Sequence, residues 1–202
     1  VLTLSRKVNG PEHPDTLSVM NKLAASYYEV GRRDEALKLR EEVLTLSRKV
    51  NGPEHPKTLW AMNNLAWSLA TCPDAALRDP NRAVELAAQA AKLDPKEANF
   101  IGTLGTAQYR AGDHAAAIAS LEKALSLRKD EKVGGAENGL FLAMARWHTG
   151  DKDTARKDYE RALARLAEEN NPPTEETLRF KEEARALLGE PAEAAKAKAK
   201  KK

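Results

Sequence analysis

Along residues 15–51 the apolar positions fall into two stripes. Leu17, Met20, Leu23, Ala24 and Tyr27 recur every three or four residues, the spacing of one helix face. Gly31 closes that run, as glycine commonly does just past a helix C-terminus. A second stripe of Ala36, Leu37, Leu39, Val43, Leu44 and Leu46 starts after Asp34 and stops at Asn51-Gly52-Pro53. The pattern predicts helix A, a short turn, helix B and a linker.

This unit repeats. Residues 1–14 and 43–56 both read VLTLSRKVNGPEHP, identical at all fourteen positions with a period of 42. The echo continues in Thr16-Leu17 and Thr58-Leu59, Met20-Asn21 and Met62-Asn63, and Leu23-Ala24 and Leu65-Ala66. Internal periodicity of this length marks an array of stacked supersecondary units. Further on, Leu104-Gly105, Tyr109, Gly112-Asp113, Ala117-Ile118, Leu121 and Ala124-Leu125 form a shorter unit. Another carries Leu142-Ala143, Trp147, Gly150-Asp151, Ala155, Tyr159 and Ala162-Leu163. Small residues recur at one equivalent position, as Ala24, Ala66, Gly105 and Ala143, where close helix approach leaves no room for a large side chain.

These residues resemble the tetratricopeptide repeat (TPR) family. Residues 1–66 are similar to the 42-residue variety found in kinesin light chains and many bacterial proteins. The likeness rests on the linker Gly52-Pro53-Glu54-His55-Pro56 followed by Asn64-Leu65-Ala66. The later units are similar to the ordinary 34-residue type. The stretch 82–189, with Leu142-Ala143-Met144-Ala145-Arg146-Trp147, resembles repeat tails of large multidomain bacterial proteins, some carrying kinase domains. The fold implied is all-α, a right-handed α-solenoid of helix-turn-helix repeats with a C-terminal capping helix. The expected organisation is a partial repeat over 1–14 and TPR units over 15–56, 57–96, 97–134 and 135–171. A capping helix over 172–189 and a flexible Lys/Ala tail over 190–202 complete it.

Two stretches depart from the family pattern. The turn from Thr71 to Pro80 is about five residues longer, and Lys129 to Gly135 is irregular; both are expected to project as loops. Asn170-Asn171-Pro172-Pro173 breaks the last repeat, and Thr174 is placed to cap a final helix carrying Leu178, Phe180, Ala184, Leu187 and Leu188. Arrays of this kind need such a helix to cover an open end. Val1, Leu2, Leu4 and Val8 read as a helix B without its helix A, which suggests either a piece of a longer array or an edge that stacks on another copy.

Composition narrows the function. Aromatics are 5% of residues and charged residues 31%, with strong helix formers dominant. The formal net charge of +3 resides in residues 190–202, which hold five Lys and two Glu, so the body of the chain is neutral. Nucleic-acid contact is therefore unexpected except through that tail, where binding would be steeply salt-dependent. No apolar run approaches the roughly 18 residues of a membrane span. The single Cys72 excludes an internal disulfide and reads as a small buried residue. A cytoplasmic location is expected, although the chain starts without Met and a targeting segment could precede Val1.

No catalytic, metal or cofactor motif occurs. His13 and His55 sit between Glu and Pro in equivalent linkers and read as capping residues; His114 starts a helix B and His148 nearly ends a helix A. The remaining expectation is partner binding. In the TPR family, helices A line the concave face. Carried over, the groove positions are Asn21, Lys22, Ala25, Tyr28 and Glu29 in the first repeat, and Asn63, Asn64, Trp67, Ala70 and Thr71 in the second. In the third they are Gly102, Thr103, Thr106, Tyr109 and Arg110, and in the fourth Leu140, Phe141, Met144, Trp147 and His148.

Tyr28, Trp67, Tyr109 and Trp147 would form an aromatic row able to anchor peptide side chains. Asn63 and Asn64 carry amides suited to an extended backbone. In kinesin light chains an asparagine at the position of Asn64 makes such a contact, but Lys22 and Thr103 stand at its equivalents here, so that ladder is broken. Lys22, Asn64 and Arg110 alone approach the two-carboxylate clamp of chaperone-binding members. The implied function is a peptide- or protein-binding scaffold within a larger bacterial signalling or assembly protein; the alternative is a homo-oligomerising module.

Overall fold

The structure is a computed structural model and describes residues 2–128, 135–168 and 172–189. Those residues form ten α-helices and no strand. The irregular stretch before Gly135, the Asn170-Asn171 break and the basic tail lie outside them. The chain divides into two compact units, Val1–Pro95 and Lys96–Lys202.

Unit 1 holds α1 (Leu2–Asn9), α2 (Pro14–Glu29), α3 (Arg33–Asn51), α4 (Pro56–Thr71) and α5 (Pro80–Leu93). Each helix packs on the next in sequence. The repeated sequence makes repeated contacts. His13 and His55 precede a proline at the first helical position, and each Nδ1 accepts from a backbone N–H two residues on, Asp15 and Lys57, both at 3.2 Å. Thr16 Oγ1 donates to the Gly10 carbonyl at 2.8 Å, and Thr58 Oγ1 donates to the Gly52 carbonyl at 2.7 Å. Both threonines are fully buried, so these bonds satisfy hydroxyls that water does not reach.

The B helices are laced along their length. Arg6 donates to the Glu42 carboxylate at 2.7 Å, and Arg48 donates to Gln89 Oε1 at 3.4 Å. The donors lie 42 residues apart and the acceptors 47, the extra five being the lengthened turn. That turn is fastened at its base while Pro73 to Ala76 stay exposed. It folds as a 3₁₀ turn at Ala75–Leu77 capped by Asp74, the Asp79 N–H returns to the Leu69 carbonyl at 3.1 Å, and Asp79 caps α5 through Arg82 N–H at 3.1 Å. Cys72 is buried beside it.

Unit 2 holds α6 (Ala98–Arg110), α7 (His114–Leu127), α8 (Ala136–His148), α9 (Lys152–Glu168) and α10 (Glu175–Leu188). The hairpins α6–α7 and α8–α9 turn at Gly112 and Gly150. Gly112 has φ +86°, and its N–H bonds the Tyr109 carbonyl while Asp113 N–H reaches back to Gln108. This left-handed helix stop is strained for any residue with a Cβ. The small-residue position is sterically enforced in α6: a Cβ on Gly105 would lie 2.6 Å from Leu121 Cγ. Ala24, Ala66 and Ala143 at the equivalent places are fully buried. Thr174 caps α10 by accepting from Thr177 N–H at 3.1 Å. α10 packs chiefly on α8 and only slightly on α9, its predecessor in sequence.

Candidate functional site

The groove positions expected from the sequence separate into two environments. In unit 1, Lys22 and Glu29 of α2 are exposed, and Asn21, Ala25 and Tyr28 are half-buried. On α4, Asn64 and Trp67 are half-buried. A polar seam joins the two helices. Tyr28 Oη and Thr71 Oγ1 lie 3.5 Å apart, and Thr71 donates its own proton to the Trp67 carbonyl at 2.8 Å, so the phenol is the donor between them. Arg40 of α3 lies over the Tyr28 ring at 5.5 Å, donates to the Asn64 carbonyl at 2.5 Å and also reaches Ser68 Oγ. A guanidinium under an aromatic face fixes that ring by cation–π attraction. Arg40 thereby ties the Tyr28 ring of α2 to the backbone of α4 at Asn64.

Asn63 departs from the expectation. It is 6% exposed and its Oδ1 has no hydrogen-bond partner, because at one position before Asn64 it turns toward the packed side of α4. Ala70, seven residues on from Asn63, is buried for the same reason, whereas Thr71 lies on the Asn64 side and is buried where it meets Tyr28 of α2. A residue that the sequence reading passed over joins this face instead. Trp60 is 41% exposed and precedes Asn64 and Trp67 by four and seven residues, the spacing of one helical stripe. That spacing was visible in the sequence, but the family's groove positions begin only at Asn63.

Unit 2 corrects more of the expectation. Thr106, Phe141 and Met144 are fully buried and Tyr109 is 8% exposed, so none presents an open groove side chain. Gly102, Thr103 and Leu140 are buried as well. A Cβ on Gly102 would lie 2.7 Å from the Asn138 amide, which fills the space the missing side chain leaves. α10 covers part of this face. Phe180 meets Phe141 edge-on at 4.9 Å, Phe141 meets Tyr109 at 5.5 Å, and Arg110 grips both carboxylate oxygens of Glu183 at 2.5 and 2.6 Å. The Arg110 guanidinium also lies over the Tyr109 and Phe141 rings, at 5.5 and 5.1 Å. Burial and the Glu183 carboxylate push the Tyr109 phenol up to about 12, so it stays neutral.

Trp147 also turns elsewhere: its ring lies under Lys152 and Arg156 of α9, at 5.0 and 5.3 Å. His148 stacks on His114 at 4.5 Å with nearly parallel rings. Burial lowers the His114 pKa, and the neighbouring His148 lowers it further. The aromatic row read from sequence is therefore not one surface. Tyr28 meets Thr71 across the α2–α4 seam, Trp67 is half-buried on α4, and Tyr109 is core.

Among the described residues no group of His, Cys, Asp or Glu could hold a metal ion, and no helix is long and apolar enough to cross a membrane.

Known proteins share this architecture. A crystal structure of a kinesin light chain candidate from Podosopora anserina, with nearly identical TPR-like repeats, superimposes with a TM-score of 0.65 at 22% identity; it covers 91% of this chain and 92% of its own. BtubC from P. vanneervenii gives 0.62 at 24% identity over 80% of this chain and 69% of its own. MamA gives 0.56 at 20% identity over 93% and 96%. At such identities the likeness establishes the fold alone. No curated protein matches the chain in sequence. Two tetratricopeptide repeat family models do match, one over residues 18–96 and the other over 98–131 and 140–165. The matched stretches together span most of the sequence, and the chain belongs to the tetratricopeptide repeat family.

Proposed function

We propose that this chain is a protein-interaction scaffold that binds an extended peptide segment of a partner along the α2–α4 face of unit 1. The observation that carries this reading is the combination of a rigid seam with half-exposed anchors. Arg40 fixes the Tyr28 ring and the Asn64 backbone, the half-buried Trp67 and the part-exposed Trp60 continue the stripe of α4, and Lys22 offers a cation on α2. Rigid aromatics surrounded by hydrogen-bonding groups are the usual anchors of peptide recognition. The fitting peptide carries an apolar side chain for Trp67 and a carboxylate for Lys22. TPR repeats are in general protein-interaction scaffolds. The likeness of 82–189 to repeat tails favours a place within a larger bacterial signalling or assembly protein.

Fluorescence polarisation against a peptide library tests this. Trp67→Ala and Lys22→Glu should each weaken the selected peptides by about tenfold, near 1.4 kcal/mol. Unchanged affinity in both variants sinks the reading.

A second reading has its own observation. Leu4 and Val8 of α1 are 65% and 71% exposed, whereas Leu46 is half-buried and Val50 40% exposed in the identical stretch of α3. A second copy stacked on α1 would cover them. Light scattering that rises with concentration, and is abolished by Leu4→Asp, supports stacking; a monomer at all concentrations excludes it.

A further inference from the structure

The contacts of α10 define a second surface, separate from the unit 1 face. α10 is amphipathic: Thr177, Phe180, Ala184 and Leu188 are buried, while Leu178 on another side is 43% exposed. Specific grips hold it. Phe180 sits against Phe141, Glu183 is held by Arg110, and Thr177 Oγ1 donates to Glu137 Oε1 at 2.7 Å. The receiving groups belong to α6 and α8. Arg110 lies over two aromatic faces of those helices, Tyr109 and Phe141, besides gripping Glu183.

α10 is also an incomplete occupant. Both Arg110 Nη groups bond Glu183, but the buried Nε has no partner. Four residues earlier on the same helix, the fully buried Thr106 Oγ1 has none either. Buried polar groups left unsatisfied are unfavourable and are rare in packed proteins. An occupant that presents a carboxylate side-on to Nε and Nη, or adds an acceptor, would use a donor that α10 leaves idle.

We propose that the α6–α8 face under α10 is a helix-binding surface, with α10 as its resident occupant, and that a partner displaces α10. The partner is an amphipathic helix bearing an aromatic side chain and, three residues on, a carboxylate, the arrangement of Phe180 and Glu183. The aromatic seats on Phe141 and the carboxylate pairs with Arg110. The helix-in-groove mode needs only such anchors on one face.

The test uses the full chain and a fluorescent peptide with the sequence of residues 174–189. In the chain carrying Phe180→Ala and Glu183→Lys, whose own α10 is loosened, the peptide should bind at least tenfold more tightly than in the unaltered chain. A peptide bearing the same two substitutions should not bind. Adding Arg110→Glu to the loosened chain should abolish binding, and a peptide with Glu183→Arg should restore it. Circular dichroism confirms that the loosened chain keeps its helices. If it does not, hydrogen exchange on the unaltered chain decides. Amides of 175–188 exchanging by local opening, ahead of α6 to α9, support displacement; exchange only with global unfolding overturns it. Equal peptide affinity for both chains, or indifference to the peptide's substitutions, also overturns the proposal. Dimerisation of the unaltered chain with α10 exchanged between copies would make a second copy the occupant and overturn the separate partner.

Discussion

The A-helix faces of the two units use similar residue types to opposite ends. In unit 1 the guanidinium of Arg40 comes from helix B, lies against Tyr28 and stiffens a face that remains half-exposed. In unit 2 Arg110 sits on helix A itself, lies against Tyr109 and Phe141, and holds a helix of its own chain. An aromatic beside an arginine therefore does not mark an open binding face. What decides is whether a following segment carries a complementary side chain. Unit 2 has α10, with Phe180 and Glu183 at the required spacing; α5 brings no such pair to α4.

The largest expected effect tests the covered face. Phe180 is fully buried against Phe141. Phe180→Ala should cost about 3 kcal/mol, the usual size for deleting a buried ring. Hydrogen exchange should show the loss concentrated in 175–188. A loss spread evenly over α6 to α9 would mean that α10 is an integral part of the unit 2 core rather than a cover on it.

Arg110→Ala should cost less, about 1.5 kcal/mol. It leaves Glu183 partly buried without its cation, but the carboxylate side chain is 34% exposed and water compensates part of the loss. Chemical denaturation reads this. The double variant Arg110→Ala with Glu183→Ala should recover part of the stability, since both partners of the pair are then gone.

Much of the fold was legible because a 42-residue identity repeats both sequence and contacts. The histidine caps, the Thr16 and Thr58 hydroxyl bonds and the Gly105 close approach all follow from positions that recur. The site was less legible. Tyr28, Asn64 and Trp67 could be placed on a helix face, but Tyr109, Phe141 and Met144 occupy matching positions and are buried. Periodicity assigns a residue to a face; it does not say what covers that face. The cover comes from α10, more than thirty residues later in the chain, and its Phe180–Glu183 pair has no counterpart in the repeat. The fastening of the lengthened turn rests on Asp74 and Asp79, whose caps have no counterpart in the repeat.

Trp67→Ala sharpens the contrast from the other side. Trp67 is half-buried, so its truncation should cost less stability than that of the fully buried Phe180, while peptide binding falls about tenfold. Paired thermal melts and binding curves separate the two. A stability loss as large as that of Phe180→Ala would place Trp67 in the core and remove the distinction between the units.

The smallest effect is a pH dependence confined to unit 2. Burial, and then the adjacent His148, hold the His114 pKa below its ordinary 6.5, with Asp113 opposing. Tyr109 is the other group against the ring, at 5.4 Å, and it stays neutral. Because the folded-state pKa is depressed, the unfolded chain binds the proton first as the medium is acidified. The stabilising contribution is therefore complete above about pH 6.5, declines as pH falls below it, and levels off beneath the folded-state value. His114 is only half-buried, so the expected signature is a small shift in midpoint. The unfolding of unit 2, followed by exchange at α7 and α8, should be slightly easier at pH 5.5 than at pH 7.5. His114→Gln should flatten that difference, and unit 1, whose His13 and His55 serve as caps at exposed linkers, should follow a profile that His114→Gln leaves unchanged. A pH response in unit 2 that survives His114→Gln would assign it to other groups and detach it from the stacked pair.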